Sequence, residues 1–231
     1  MSTFAFLIPS FNPGYRLLLV VRRLDSLLKD AGLRSPIFVV DDGSTDESTS
    51  ELSELGVLVK RHQKNRGKGA ALRTGLEWAQ AQGITQLITL DADGQHPPEE
   101  ALKLAQCSAG PDALVLAVRD LKAAGAPRPN QWSNRFSNRV LSLFAGTTLL
   151  DTQCGLRRYP VSATLGLGAP DDGYAFESDV VLRAARRGLP IVHIDSRVLY
   201  PPPDERLSYF HSVKDPAKMV YRVVKTALTI R

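Results

Sequence analysis

The sequence predicts an α/β protein with a Rossmann-like, mostly parallel central sheet and helices on both faces. Three observations lead to this prediction. Short apolar segments of strand length alternate with longer segments of helical periodicity along the first half of the chain. Glycines end several of the helical segments. Charged residues directly follow the apolar segments, and the carboxyl ends of parallel strands are where such sheets bind ligands.

The first half of the chain contains the clearest elements. Apolar segments bounded by turn residues predict strands at residues 4–8, 37–40, 57–59, 87–90 and 113–118. Apolar residues at helical spacing predict a first helix over residues 17–28. Ser44 and Glu47 match a capping box, so a helix is predicted to begin there. Further helices are predicted over residues 70–82 and from Pro98 onward.

The second half is less regular. Its predicted elements are helices over 134–145 and 175–187, a loop at 151–155 that leads into a short strand, and edge strands over 191–194 and 198–200. Residues 212–231 place apolar and basic side chains on different sides of a predicted helix. Such a helix either lies on an anionic membrane or docks on the body of the protein with its charges in water.

The composition is that of a globular protein, with 231 residues, 43% hydrophobic and 23% charged. The net charge of +5 suits phosphate ligands, an anionic membrane surface or nucleic acid, and does not choose among them. Cys107 and Cys154 have no metal-type spacing, and nothing suggests a disulfide framework, which favours a reducing compartment. No signal-peptide pattern is present, and no window reaches the ~18 consecutive apolar residues of a spanning helix. We therefore expect a cytoplasmic protein that does not cross a membrane.

Two acids stand at the end of the fourth predicted strand. Asp91 and Asp93 are one residue apart, and Gly94 and the prolines that follow prevent the strand from continuing. Crowded carboxylates repel each other unless a cation lies between them. Mg²⁺ or Mn²⁺ prefers oxygen ligands of this kind, and Gln95 offers a further amide oxygen. The alternative is an ordinary acidic turn.

Three separate segments deliver polar residues to one edge of the predicted sheet. These residues are Asp41 and Asp42 after the second strand, Asp91 and Asp93 after the fourth, and Arg119 after the fifth. Core packing gives no reason for acids and a cation at these positions. The carboxyl ends of parallel strands lie at one edge, so the sequence predicts a ligand site there.

The loop at residues 64–69 is basic and rich in glycine. Glycines on both sides of Lys68 would let the backbone approach a phosphate closely. The alternative is a solvated loop whose charges have no ligand. A phosphate-bearing ligand is therefore one of two interpretations of this segment.

Five motifs together resemble those of a known family. In chain order they are Pro9-Ser10-Phe11-Asn12, Val40-Asp41-Asp42-Gly43-Ser44, Asn65-Arg66-Gly67-Lys68-Gly69, Asp91-Ala92-Asp93-Gly94-Gln95 and Asp151-Thr152-Gln153-Cys154-Gly155. The chain resembles family 2 glycosyltransferases of the GT-A fold, and within them the polyprenyl-phosphate (dolichyl-phosphate) mannosyl- and glucosyltransferases. The resemblance implies one GT-A catalytic domain over residues 1–231. Residues 1–120 would be its nucleotide-sugar-binding half, and residues 121–231 its acceptor-side half.

The resemblance also implies roles for individual residues. The nucleotide sugar would be bound by Pro9, Phe11, Val40, Asp42, Lys68, Asp91, Ala92, Arg119 and Arg135. Asp91, Asp93 and Gln95 would ligate Mg²⁺ or Mn²⁺, and Asp93, Arg119 and Glu177 would be catalytic. Arg128 is a rival to Arg135. Pro13 departs from the pattern, because relatives usually carry an acid after the asparagine.

The implied reaction is the inverting transfer of a hexose from a nucleotide-diphosphate sugar. A hydroxyl acceptor needs a general base, whereas a lipid phosphate is already ionised. Candidate bases are Asp151, Glu177 and Asp179. The last two instead suit the positive end of a predicted helix, and Asp151 suits a turn. The candidate acceptor is a polyprenyl phosphate at the membrane face, as in the synthesis of cell-envelope glycans, and no nucleic-acid partner is expected.

Two other functions remain open. A sugar-phosphate nucleotidyltransferase can use a similar sheet, but its glycine-rich, lysine-bearing signature normally follows the first strand, where this chain has Pro9-Ser10-Phe11-Asn12. A non-catalytic scaffold with the GT-A fold is the other alternative. The intact Asp91, Asp93 and Gln95 argue against it. The nucleotide base, the sugar and the oligomeric state do not follow from the sequence.

Overall fold

A single seven-stranded sheet organises the structure, a computed structural model that describes residues 3–200. Its strands are β1 (Phe4–Ser10), β2 (Ile37–Asp41), β3 (Leu58–Arg61), β4 (Gln86–Thr89), β5 (Leu114–Arg119), β6 (Arg157–Pro160) and β7 (Ile191–Ser196). They lie in the order β3-β2-β1-β4-β6-β5-β7. All neighbouring strands are parallel except β6, which is antiparallel to both β4 and β5.

Helices cover both faces of the sheet. They are α1 (Arg16–Asp30), α2 (Lys68–Ala81), α3 (Pro98–Gln106), α4 (Arg128–Ala145), α5 (Val161–Gly166) and α6 (Ala175–Arg186). Successive strand residues point to opposite faces. Leu7 therefore belongs to the core that contains residues of α2 and α6, whereas Phe6 belongs to the core that contains residues of α1 and α3. The predicted parallel sheet with helices on both faces is confirmed.

The register brings the strand ends together. Ser10 at the end of β1 pairs with Asp41 at the end of β2, and Leu7 pairs with Thr89 at the end of β4. The segments that follow these strands therefore leave the sheet at the same edge. This edge carries the polar residues that the sequence analysis singled out.

The helix predicted from Ser44 and Glu47 is wrong. Residues 45–51 form bends and turns, followed only by a short 3₁₀ helix at Leu52–Leu55. Ser44 Oγ accepts the backbone N–H of Asn12 at 2.9 Å instead of capping a helix. The Ser44 side chain stabilises the neighbouring loop that begins at Asn12. Because its hydroxyl makes this tertiary contact, it is not used to cap a helix.

Other elements also differ from the prediction. The strand predicted over 198–200 does not form, although Leu199 N donates to the carbonyl of Gln95 at 2.8 Å. Helix α4 begins at Arg128 rather than at residue 134, and Pro129 lies in its first turn, where a proline is tolerated. The predictions for residues 201–203, 206–211 and 212–231 lie outside the described residues. Between residues 3 and 200, no helix is long and apolar enough to cross a membrane.

Candidate functional site

A cavity of about 520 Å³ opens at the carboxyl ends of the parallel strands. Most of the sequence-predicted site residues line it, namely Pro9, Phe11, Asp42, Lys68, Asp91, Ala92, Asp93, Gln95, Arg119 and Glu177. Two lie elsewhere. Val40 is fully buried in the core, and Arg135 is exposed on α4, as is its rival Arg128. The structure thus brings residues from six strand and helix ends to one cavity, with Asp42 and Asp91 on the same side of the molecule.

Lys68 connects two acids at the centre of the cavity. Its Nζ lies 2.7 Å from Oδ1 of Asp91 and 3.2 Å from Oε2 of Glu177. Burial alone would lower the pKa of Lys68, but the two carboxylates, Asp91 first, raise it above its ordinary value. Lys68 is therefore a permanent positive charge. Oε1 of Glu177 is buried and has no hydrogen-bond partner among the described residues.

Asp91 and Asp93 differ in their electrostatic surroundings. Burial would raise the pKa of Asp91, but the charge and hydrogen bond of Lys68 hold it below its usual value. Burial and the nearby charge of Asp91 raise the pKa of Asp93. Oδ1 of Asp93 accepts the backbone N–H of Gln95 at 2.9 Å. The negative charge of Asp91 therefore disfavours the ionised form of Asp93, and a cation bound nearby would favour it.

Gly155 allows the Asp91–Lys68 pair to fit. A Cβ atom at this position would lie 2.5 Å from Oδ2 of Asp91 and 2.8 Å from Nζ of Lys68. Real Cβ atoms do not approach other atoms so closely, so only glycine fits here without displacing the pair. The glycine of the loop at 151–155 thus leaves room for the ion pair between Asp91 and Lys68.

Arg119, which lines the cavity, forms a buried ion pair with Asp151. Nε of Arg119 lies 2.7 Å from Oδ2 of Asp151, and Nη2 lies 3.0 Å from Oδ1. Burial would raise the pKa of Asp151, but Arg119 and a 2.7 Å hydrogen bond from Asn134 hold it below its ordinary value. This ion pair makes Asp151 a poor general base and fixes the direction of the Arg119 guanidinium.

The third candidate base lies away from the cavity. Oδ1 of Asp179 accepts from Nε of Arg183 at 2.9 Å, one turn further along α6. Asp179 is not among the residues that line the cavity, whereas Glu177, in the first turn of α6, is. Of the three candidate bases, only Glu177 therefore lines the cavity.

Asp42 holds the glycine-rich loop in place. Its Oδ1 accepts the backbone N–H of Arg66 at 2.9 Å, and its Oδ2 accepts that of Gly67 at 2.7 Å. Nδ1 of His62 lies 2.6 Å from Oδ1 of Asp42, and its Nε2 lies 3.0 Å from the hydroxyl of Thr74. His62 is a site residue that was not predicted, and its one signal in the sequence is its position directly after a strand at the same sheet edge.

Arg157 is a second residue that the sequence analysis missed. Its side chain is fully buried in β6. The guanidinium donates to the carbonyls of Thr152 at 2.8 Å, Cys154 at 2.8 Å and Glu177 at 2.7 Å. One side chain thus ties the 151–155 loop to the beginning of α6. Nothing in the sequence around it distinguishes this arginine from a surface one.

Comparison with known proteins agrees with this geometry. The chain matches the family profile described as "Glycosyl transferase family 2" over residues 6–162. It is 31% identical over 202 residues to the polyprenol monophosphomannose synthase of Mycolicibacterium smegmatis, covering 81% of this chain and 74% of that protein. It is 30% identical over 202 residues to the undecaprenyl-phosphate mannosyltransferase of Micrococcus luteus, covering 81% of this chain and 80% of that protein.

A solved structure shares the fold. It is the glucosyl-3-phosphoglycerate synthase of Mycobacterium tuberculosis, crystallised with Mn²⁺, uridine diphosphate and phosphoglyceric acid. The TM-score is 0.71 at 19% sequence identity, and the match covers 99% of this chain and 78% of that one. At this identity the similarity concerns the fold alone.

Proposed function

Because this chain belongs to glycosyl transferase family 2 and has the expected GT-A fold, we propose that it transfers a hexose, with inversion, from a nucleotide-diphosphate sugar to a polyprenyl phosphate. One observation carries the proposal. The acids after β4 and the cations Lys68 and Arg119 line the same cavity. Such a cavity suits a diphosphate bound between a metal and fixed positive charges. The names of the two relatives support the acceptor class.

The oxygen atoms at the end of β4 fit a hard divalent cation. Asp91, Asp93 and Gln95 would hold Mg²⁺ or Mn²⁺, and the raised pKa of Asp93 indicates a place where a cation would be favourable. Between residues 3 and 200, no group of three or more His, Cys, Asp or Glu residues forms a complete metal site. Mg²⁺ commonly binds one or two carboxylates together with substrate phosphates. When bound, it would neutralise charge on the leaving nucleoside diphosphate.

The side chains of the chain itself supply the rest of the mechanism. Pro9 and Phe11 would form the walls around the nucleotide, and Asp42 would keep the 64–69 loop against it. As the bond between the sugar and the diphosphate breaks, negative charge grows on the leaving oxygen. Lys68 and Arg119 would stabilise that charge, at about 2.7–4 kcal/mol for one well-placed donor. The acceptor oxygen attacks the opposite face of the sugar, which inverts its configuration.

We expect Glu177→Gln to separate the two acceptor classes. A lipid phosphate needs no base, so the variant should keep transfer to undecaprenyl phosphate within about tenfold of the wild type. Transfer to a hydroxyl acceptor would instead become about 10²- to 10⁴-fold slower. The measurement is the initial rate of nucleoside diphosphate release with UDP-, GDP- and dTDP-hexoses. Release of pyrophosphate would instead favour the nucleotidyltransferase, and no turnover with any donor would favour the scaffold.

We expect Gly155→Ala to weaken metal-dependent nucleotide binding by at least about tenfold, which is about 1.4 kcal/mol. The added methyl group would push the Asp91 carboxylate and the Lys68 ammonium away from their observed positions. Calorimetric titration with UDP and Mn²⁺ measures the change, and these probes follow from the neighbour of the same fold. Gly166→Ala is the matched control, because its Cβ would meet nothing within 4 Å. Equal affinities for the two variants would contradict the role given to Gly155.

A further inference from the structure

One side of α4 exposes a row of large apolar and cationic side chains, which we call the α4 ridge. Its apolar members are Trp132, Phe136 and Leu143, with relative exposures of 70%, 58% and 79%. The exposed arginines Arg128, Arg135 and Arg139 belong to the same ridge. At 3.6 residues per turn the apolar members form one line along the helix, and the arginines form an adjacent line. Exposed apolar side chains that cluster in this way mark an interaction surface.

The ridge is a fixed surface, because the opposite side of α4 is firmly packed. Asn134, Ser137, Asn138 and Leu141 on that side are buried. Nδ2 of Asn138 donates to the carbonyl of Leu150 at 2.6 Å, and Oδ1 of Asn138 accepts from Thr152 N at 2.9 Å. The helix cannot rotate to bury the ridge without breaking these hydrogen bonds. The folded domain therefore presents the ridge to its surroundings.

The ridge adjoins the cavity. Asn130 and Ser133, in the first two turns of α4, line the cavity, and Ser133 directly follows Trp132 of the ridge in the sequence. Further along, Gln153 of the cavity donates to Ser137 Oγ at 2.9 Å. A surface that binds the ridge would therefore lie close to the cavity entrance formed by α4.

The positive charge of α4 indicates which kind of partner would bind the ridge. The segment 128–145 contains three arginines and neither aspartate nor glutamate. A line of arginines beside a line of Trp, Phe and Leu is the pattern of helices that lie in the interface of an anionic bilayer. A second copy of the ridge would bring like charges together. The segment 201–231 of the same chain is also a poor partner for the ridge. It contains six basic and three acidic residues, so its net positive charge would repel the arginines of the ridge.

We propose that the α4 ridge docks on an anionic membrane surface and sets the cavity against the headgroup layer, where a lipid-phosphate acceptor enters beside Asn130 and Ser133. The inference deepens the proposed function and rests on it for the identity of the acceptor. Docking itself depends only on the ridge. The two can therefore fail separately.

The test is co-sedimentation of the full chain with phosphatidylcholine vesicles, with and without phosphatidylglycerol. Wild-type protein should bind the anionic vesicles. Trp132→Ser/Phe136→Ser and Arg139→Glu should each lower the partition coefficient at least about tenfold. Leu19→Ser and Arg34→Glu, exposed residues distant in sequence from α4, are the matched controls and should bind as wild type does. Thermal unfolding and UDP affinity should not change in any of these variants, because none of these residues lines the cavity.

The outcomes separate the two proposals. Turnover should fall in the ridge variants when undecaprenyl phosphate is embedded in vesicles, and stay unchanged with a short, water-soluble prenyl phosphate. Vesicle binding through the ridge without any sugar transfer would overturn the proposed function and leave docking intact. Transfer to the soluble acceptor without ridge-dependent vesicle binding would overturn docking. So would a wild-type dimer that the ridge variants convert to a monomer, or vesicle binding lost in Lys218→Glu/Arg222→Glu and retained in the ridge variants.

Discussion

Asp93→Asn is expected to reduce sugar transfer at least about 10²-fold and to leave the protein folded. The substitution keeps the shape of the side chain and its contact with the backbone of Gln95, but removes the charge that would hold a divalent cation. Losing one aligned electrostatic contact at a leaving group typically costs 10²- to 10³-fold in rate. Because Asp93 lies in the negative field of Asp91, removing its charge should not lower the free energy of unfolding.

Three measurements check this result. Initial rates of nucleoside diphosphate release give the loss of activity, and thermal unfolding gives the stability. Calorimetry with UDP should show that Mn²⁺ strengthens binding in the wild type and has no effect in Asp93→Asn. Asp112→Asn, in an exposed turn, is the matched control and should behave as wild type does. Equal nucleotide affinity with and without Mn²⁺ in the wild type would refute the metal-dependent mechanism.

Arg157→Met is expected to have the largest effect on stability. It removes the donor that satisfies three buried carbonyl oxygens, and each buried acceptor left alone costs about 1–3 kcal/mol. We expect the free energy of unfolding to fall by at least about 3 kcal/mol. At about 2–4 °C per kcal/mol for a chain of this size, the melting temperature should fall by at least about 6 °C.

The same substitution should also impair catalysis, because the carbonyl groups belong to the loop that carries Thr152 and to the first turn of α6 at Glu177. Arg157→Lys should be intermediate, since one ammonium cannot reach three acceptors in the fork geometry of a guanidinium. Arg187→Met is the control, because that arginine is exposed and, within residues 3–200, its side chain donates one hydrogen bond, to the carbonyl of Gly166. If chemical denaturation gives the same free energy of unfolding for Arg157→Met and the control, the three hydrogen bonds of Arg157 do not stabilise the fold.

The parts of the fold that the sequence predicted are those with a local signal. Each buried parallel strand is a short apolar run, and the acids that follow β4 are visible because they interrupt one. The carboxyl ends of parallel strands lie at one edge of a sheet, so the sequence order of strands and helices is enough to place these residues there. The convergence of Asp42, Asp91 and Arg119 on one cavity could therefore be expected before any coordinates were known.

The parts that the sequence did not predict depend on distant partners. The strand β6 begins with Arg157 and Arg158, which are fully buried because carbonyl groups from other segments accept their hydrogen bonds. No local pattern marks a buried arginine. Likewise, Ser44 carries a helix-capping signal but serves the loop at Asn12, and Arg135 has the right residue type but points away from the cavity. In each case a tertiary contact decides the outcome.

The reversed direction of β6 has a consequence for how this domain can be divided. Because β6 runs against β4 and β5, the loop that enters it arrives at the edge where those two strands leave. Neighbouring strands lie about 4.8 Å apart, so β6 is also a spacer that holds the ends of β4 and β5 roughly 10 Å from each other. A fragment that stops at residue 120 would lack this spacer and leave β4 and β5 as open, aggregation-prone edges. Donor recognition is therefore a property of the whole sheet, and grafting the amino-terminal half onto another scaffold should not transfer it.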